Sequence, residues 1–227
     1  MTNFSTDTTR NTTAIAHSSL YGANQSYRDL SKRLLDIVLA VLMLPALLPV
    51  IAVLYCAVRL EGGPGFFGHE RVGQNGQLFK CWKIRTMVPD AKARLEHLLA
   101  TDPDARIEWE RDQKLRNDPR VTNFGSFLRR SSLDELPQIW NVLKGEMSLI
   151  GPRPVTKPEL ERYAEHRWIY LALRPGITGL WQVSGRNDLT YEERVQLDAV
   201  YYGSLSPRED AKILWRTVKS VLLRTGY

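Results

Sequence analysis

Residues 37–58 form a run of 22 amino acids without a single charge, IVLAVLMLPALLPVIAVLYCAV. As an α-helix this run reaches about 33 Å at ~1.5 Å per residue, enough to cross the hydrocarbon core of a bilayer. Apolar side chains cover all of its faces, whereas a helix packed on a soluble core shows one apolar stripe and a polar back. The segment must be buried in protein or placed in lipid, and a 227-residue chain leaves little protein to bury it. Membrane insertion is therefore expected. Pro45 and Pro49 lie in mid-run. Each lacks an N–H donor and clashes with a preceding carbonyl, so a helix–break–helix is expected there. Arg28, Lys32 and Arg33 precede the run, while Arg59 and Arg71 follow it. That distribution shows none of the bias that orients a simple span. The pattern alone leaves open both a span and a re-entrant helix that enters, bends at the prolines and returns.

The flanks differ sharply. Residues 1–19 hold eleven Ser, Thr or Asn, too little apolar surface to order a chain. With no apolar stretch near Met1, this segment is not a signal peptide. The organisation expected is a disordered polar arm (1–30), a membrane helix (31–60) and a cytoplasmic domain (61–227). Over the whole chain, 43% hydrophobic and 25% charged residues exclude a polytopic membrane protein and a wholly disordered one. Two cysteines, Cys56 and Cys81, make no disulfide scaffold and suit a reducing compartment. The net charge of +6 admits three anionic partners: nucleic acid, a membrane surface or phosphorylated substrates.

The domain reads as α+β and mostly helical, with one small β-hairpin. Strand-like stretches at 66–72 and 78–87 flank Gly73-Gln74-Asn75-Gly76, and Asn-Gly between two such runs is a hairpin signal. Four S/T-x-x-E boxes mark helix starts: Ser132/Glu135, Thr156/Glu159, Thr190/Glu193 and Ser206/Glu209. A further helix is expected from Pro89 through Leu99. The last helix, 207–224, gathers Ile213, Leu214 and Val218 on one side and Lys212, Arg216 and Lys219 on the other. It suits either an ordinary surface position or the membrane interface.

Four features between Asn117 and Asp188 have the makings of a site. Asp134-Glu135 opens a helix whose buried face is Leu133, Leu136, Trp140 and Leu143, downstream of Arg116, Arg120, Arg129 and Arg130. The pair reads either as helix capping or as ionised carboxylates able to hold Mg²⁺ or attack phosphorus. In Gly151-Pro152-Arg153-Pro154 the prolines stiffen the backbone around Arg153, pre-organising its guanidinium for phosphate. A plain turn would explain the same prolines. Arg174-Pro175-Gly176-Ile177-Thr178-Gly179 offers a glycine-containing loop whose N–H groups could approach a nucleotide. Gly185-Arg186-Asn187-Asp188 is a second polar loop. Asp198 reads as a surface helical residue, or else as a remote partner of a metal. The histidines (His17, His69, His97, His166) are scattered, which argues against zinc. No nucleophile-elbow or nucleic-acid-binding motif is present, so nucleic acid is not an expected partner.

Taken together, KRLLDIVLAVLMLPALLPVIAVL, FKCWKIRTM, DPRVTNFGSFLRRSSLDELPQIWNVLKGEMSLIGPRP and RPGITGLWQVSGRND resemble the bacterial sugar transferases, the monotopic polyprenyl-phosphate phosphoglycosyl transferases. The resemblance runs from about Lys32 to the C-terminus and is nearest to the rhizobial exopolysaccharide-initiating enzymes that transfer galactose phosphate. It implies movement of a sugar-1-phosphate from a UDP-sugar to undecaprenyl phosphate at the inner membrane, with release of UMP. It assigns the nucleophile to Asp134, with Glu135 as helper and Mg²⁺ beside them, and phosphate binding to Arg153 and Arg129. Pro175, Gly176, Thr178, Gly179 and Arg186 become the expected nucleotide-sugar loop. The helix break falls at Pro49, assisted by Pro45. Relatives often have Ser-Pro there, and this chain has Leu48-Pro49. Inner-membrane lipids, downstream glycosyltransferases and a second copy of the chain complete the expected partners. The rival reading is a membrane-anchored basic interaction protein without catalysis.

Overall fold

In a computed structural model the chain is described over residues 27–112, 115, 117–185 and 188–222. Nearly all of the expected polar arm (1–26), together with Arg186, lies outside the described residues. The uncharged run folds within one helix, α1 (Lys32–Leu60), long and apolar enough to cross a membrane. The expected break is absent as an interruption: both prolines sit inside a continuous helix. Spacing explains this. Pro45 and Pro49 are four residues apart and both exposed. The donors they lack would have met the carbonyls of Val41 and Pro45 in the same row, so one face of the ladder is lost and the others persist. Ring–carbonyl clashes open the helix on that face, which favours curvature convex on the proline side.

The opposite face of α1 is a stripe of Lys32, Asp36, Ala40, Ile51, Leu54 and Val58, all buried. Both ends of the helix are tied to the folded domain. At the start, Lys32 Nζ pairs with Asp210 Oδ2 at 2.6 Å, and Leu149 N–H donates to Asp36 Oδ1 at 3.0 Å. Arg33 donates to the carbonyls of Val142 (2.6 Å) and Leu143 (3.0 Å), satisfying acceptors that a helix C-terminus leaves free. At the far end, Arg85 donates to the Val58 carbonyl at 3.1 Å. Between these anchors large apolar side chains remain exposed, Leu42 at 70% and Val53 at 67%.

Strands β1 (Phe66–Val72) and β2 (Leu78–Ile84) pair antiparallel, with Phe67 opposite Lys83 and His69 opposite Cys81. The expected hairpin is present, and Asn75 and Gly76 both take positive φ (57° and 79°), as a tight reversal requires. The second strand stops at Ile84, short of the expected Met87, which instead bridges to Val121. The chain continues through α2 (Ala91–Thr101), α3 (Pro103–Asp112), α4 (Asn123–Arg130) and α5 (Gln138–Lys144). Strand β3 (Ser148–Ile150) precedes α6 (Lys157–Glu161) and α7 (Arg167–Ala172). Strand β4 (Gly176–Thr178) then pairs in parallel with β3, and α8 (Tyr191–Ser204) and α9 (Pro207–Leu222) complete the fold. Thr156 and Thr190 form full capping boxes with Glu159 and Glu193, and Ser206 Oγ accepts from Glu209 N–H at 3.3 Å.

The main core joins the buried stripe of α1 to β2, α5 and α9 through Ile51, Val58, Ile84, Val142 and Ile213. A smaller core of Val72, Val155, Leu160, Tyr163, Tyr170 and Val195 lies on either side of the Gly151–Pro154 turn in sequence and helps fix it.

Candidate active site

The acidic pair is placed by a strained turn rather than by a capping box. After α4, Ser132 adopts a left-handed conformation (φ 56°, ψ 17°), and Leu133–Glu135 form a single 3₁₀ turn before α5. The Ser132 side chain makes no cap, so the expected Ser132/Glu135 box does not form. The reason is electrostatic: Glu135 turns instead to Lys83 of β2, with Nζ 2.5 Å from Oε1. A non-glycine residue held left-handed beside paired carboxylates is the kind of strain that gathers at functional sites.

Asp134 is 6% exposed, and Lys83 Nζ lies 3.8 Å from its Oδ2. Burial pushes the Asp134 carboxyl above its ordinary pKa; Lys83 opposes the rise, Glu135 adds to it, and Arg129 and Arg153 oppose it. Glu135 behaves oppositely. Burial pushes it up too, but Lys83 and Arg153 outweigh burial and bring the carboxyl down to about 2. Two adjacent acids thus carry different protonation tendencies, an arrangement that separates a reactive carboxylate from a permanently ionised partner.

Arg153 Nη2 approaches Glu135 Oε1 at 3.5 Å, and the side chain is 43% exposed. Its loop is fixed from several directions. Val72 N–H donates to Val155 O at 2.9 Å. The Tyr170 hydroxyl donates to Val72 O at 2.6 Å and accepts from Val155 N–H at 3.2 Å. Arg71 Nη1 donates to Pro154 O at 3.2 Å and pairs with Glu159 at 2.9 Å. Arg129 is exposed, held through Nε by the Thr86 hydroxyl at 2.9 Å. The structure therefore brings Asp134, Glu135, Arg153 and Arg129 into one electrostatic neighbourhood.

Residues 175–179 are arranged differently from the open loop expected. Gly176–Thr178 is strand β4. Pro175 O accepts from Ser148 N–H, Gly176 N–H donates to Pro152 O, and Thr178 O accepts from Gly151 N–H. The Thr178 hydroxyl meets that of Thr217 at 2.7 Å. A Cβ on Gly176 would lie 2.1 Å from Gly151 N, and one on Gly179 would lie 2.3 Å from Gly151 O. These glycines let the segment press against the Gly151–Pro154 loop, which supports Arg153 from behind. Asp198 is likewise not a surface residue: it is 1% exposed, accepts from the Tyr163 hydroxyl at 2.8 Å, and burial raises its pKa to about 7.

Lys83 is the site residue that sequence reasoning missed. It is one of two lysines, with Lys80, among the apolar positions of β2, a weak signal, and nothing in the spacing links it to position 134. Asn141 escaped for the same reason. It is fully buried, accepts from Trp82 N–H at 3.1 Å and donates to Lys80 O at 2.8 Å, locking β2 to α5.

Among the described residues no cluster of three or more His, Cys, Asp or Glu side chains is poised to hold a metal. Asp134 and Glu135 still fit Mg²⁺, which takes one or two carboxylates and completes its shell with water and substrate phosphates. The local arrangement can therefore offer a buried carboxylate to an electrophile, with Lys83, Arg153 and Arg129 to offset the charge of a phosphorylated substrate.

The chain is 51% identical over 90% of its length to the undecaprenyl-phosphate galactose phosphotransferase of Salmonella typhimurium, covering 43% of that protein. It is 53% identical over 86% of its length to an uncharacterized sugar transferase of Haemophilus influenzae, covering 41% of it. With the exopolysaccharide production protein ExoY of Sinorhizobium fredii the identity is 46% over 90% of the chain and 91% of the relative. The chain thus spans about two fifths of the length of the first two relatives and nearly all of the third. The bacterial sugar transferase family model matches residues 27–224, and the chain belongs to that family.

Proposed function

We propose that the protein transfers a sugar-1-phosphate, galactose-1-phosphate first among the candidates, from a UDP-sugar to undecaprenyl phosphate and releases UMP. The observation that carries this reading is the buried Asp134 carboxylate, 3.8 Å from Lys83 and beside an ionised Glu135, within a chain of this family. Asp134 attacks the sugar-bearing phosphorus. The P–O bond to UMP breaks, and UMP leaves with the electron pair. An oxygen of undecaprenyl phosphate then attacks the same phosphorus, the bond to Asp134 breaks, and the carboxylate is restored. Two displacements through one carboxylate give ping-pong kinetics. Lys83 keeps Glu135 ionised and favours the anionic form of Asp134, while Arg153, on its stiff loop, offsets charge on the transferring diphosphate. Mg²⁺ bound through Asp134 and Glu135 would neutralise phosphate oxygens and orient the electrophile.

We also read α1 as embedded in the cytoplasmic membrane without crossing it. A span would set its two ends on opposite sides of about 30 Å of hydrocarbon, yet Lys32 and Val58 both bond to the same domain. Labelling of Ser31→Cys and Gly62→Cys, each in a Cys56→Ala background, tests this. Reaction from the cytoplasmic side at both supports a helix that does not cross, and opposite-side labelling refutes it. For the activity, the purified chain in lipid nanodiscs should release UMP from UDP-galactose or UDP-glucose only with Mg²⁺, and undecaprenyl-diphospho-sugar should form. The relatives include a protein named UDP-glucose:undecaprenyl-phosphate glucose-1-phosphate transferase, from Caulobacter vibrioides, at 38% identity, so both donors belong in the panel. No UMP from any UDP-sugar would leave the non-catalytic interaction protein.

A further inference from the structure

Beyond the dyad and the loop of Arg153 lies a second group of cations. The first turn of α8 carries Tyr191 and Arg194 behind the Thr190 cap. The Tyr191 hydroxyl donates to Glu159 O, which joins this turn to the helix following the Arg153 loop. The Arg162 guanidinium sits 3.8 Å above the Tyr191 ring, and the Arg194 guanidinium 4.8 Å from the centre of the Trp181 ring. Burial depresses the pKa of Arg194, and the next causes are the positive charges of Arg153 and Arg162.

Three guanidinium groups thus crowd one region. Among the described residues neither Arg162 nor Arg194 forms an ion pair, and Arg194 Nε is buried with no hydrogen-bond partner. The nearby acid, Glu159, already accepts through Oε2 from Arg71, Thr156 N–H and the Thr156 hydroxyl. Like charges repel, and a buried donor without a partner is costly. Aromatic faces hold both guanidinium planes and leave their in-plane N–H edges to another ligand. An anion with several acceptor oxygens meets both demands, and planar N–H forks suit phosphate.

We propose that Arg194, assisted by Arg162, binds the phosphate of the nucleotide, which becomes the UMP leaving group. The inference rests on the sugar-phosphate transfer reading above. Arg153 is the cation beside the carboxylate dyad; Arg194 extends the positive path away from it, where the nucleotide half of the donor lies. Trp181 and Tyr191 hold the two guanidinium planes.

The test uses the full chain in detergent with Asp134→Asn to stop turnover, and measures binding of UMP, uridine and inorganic phosphate by calorimetry. Arg194→Gln is expected to weaken UMP about tenfold or more and leave uridine unchanged. Arg162→Gln is expected to lose less. Arg194→Lys, which keeps charge but not the planar fork, should fall between Gln and the parent. Unchanged UMP affinity in a folded Arg194→Gln protein overturns the inference, as does an equal loss for UMP and uridine, which would make the residue structural. Were Arg194→Gln to unfold, undiminished UMP affinity in Arg194→Lys would overturn it. Tight inorganic phosphate binding that ignores Arg194 would place the anion elsewhere. Failure of the Asp134→Asn parent to bind UMP at all would overturn the transfer reading as well.

Discussion

Lys83→Met removes the main counter-charge of Glu135, and the structure fixes how stability should respond. Glu135 is lowered from an ordinary 4.5 to about 2, and its side chain is only 18% exposed. At ~1.36 kcal/mol per pH unit this corresponds to stabilisation on the order of 3 kcal/mol at neutral pH. Lys83 is the first-ranked cation and Arg153 the second, so losing Lys83 should remove roughly 2 kcal/mol, the remainder staying with Arg153. The sign follows from linkage. A carboxyl whose folded pKa lies below its unfolded one stabilises fully above 4.5, and the contribution disappears as pH falls through about 2. Denaturant unfolding of full-length wild type and Lys83→Met in one detergent, from pH 7 to pH 2, should show a gap that closes toward the acid end. Glu135→Gln should abolish the pH dependence of that gap. A gap that is absent at pH 7, or that stays constant with pH, would refute the electrostatic account of the pair. Activity offers a parallel readout: with Lys83 gone the Asp134 pKa rises further, so the acid limb of the pH–rate profile should move to higher pH.

Arg153→Ala should cost about 10²–10³ in kcat while lowering stability less than Lys83→Met does, since Arg153 is the second cation on Glu135; near-wild-type turnover would reduce the residue to a structural role. Asp210→Asn breaks the buried pair with Lys32 and should destabilise the chain by about 3–5 kcal/mol, seen as a lower denaturation midpoint and faster proteolysis near the start of α1. Gly176→Ala forces a Cβ to within 2.1 Å of Gly151 N, and the overpacking should cost about 1–3 kcal/mol; a neutral effect on denaturant unfolding would contradict the close-packing role given to β4.

Much of the fold was readable from local pattern. The Asn75-Gly76 reversal and the capping boxes at Thr156 and Thr190 are short-range signals and appear as read; the uncharged run is helical as expected but lacks the break expected at its prolines. What escaped depended on tertiary partners. The Ser132 box failed because Glu135 had a stronger partner 52 positions upstream in Lys83. Residues 176–178 looked like a loop because three residues are too few for a strand signal; their parallel partner, 148–150, supplies the order. Asp198 looked like a surface residue because helical position says nothing of what packs above it, here Tyr163. Asp134 and Arg153 were legible as candidates, since carboxylates after a basic stretch and an arginine between prolines stand out. Lys83, one of two lysines in a short strand, did not.

The central claim is that Asp134 carries the sugar phosphate between donor and acceptor, and intact-mass measurement tests it most directly. Purified protein incubated with Mg²⁺ and its UDP-sugar, without undecaprenyl phosphate, should release at most one UMP per chain. It should gain the mass of one sugar phosphate, mapped to the peptide containing Asp134 and discharged when undecaprenyl phosphate is added. Asp134→Asn should show neither event. UMP release that strictly requires the acceptor, with no adduct on rapidly quenched protein, would contradict the account.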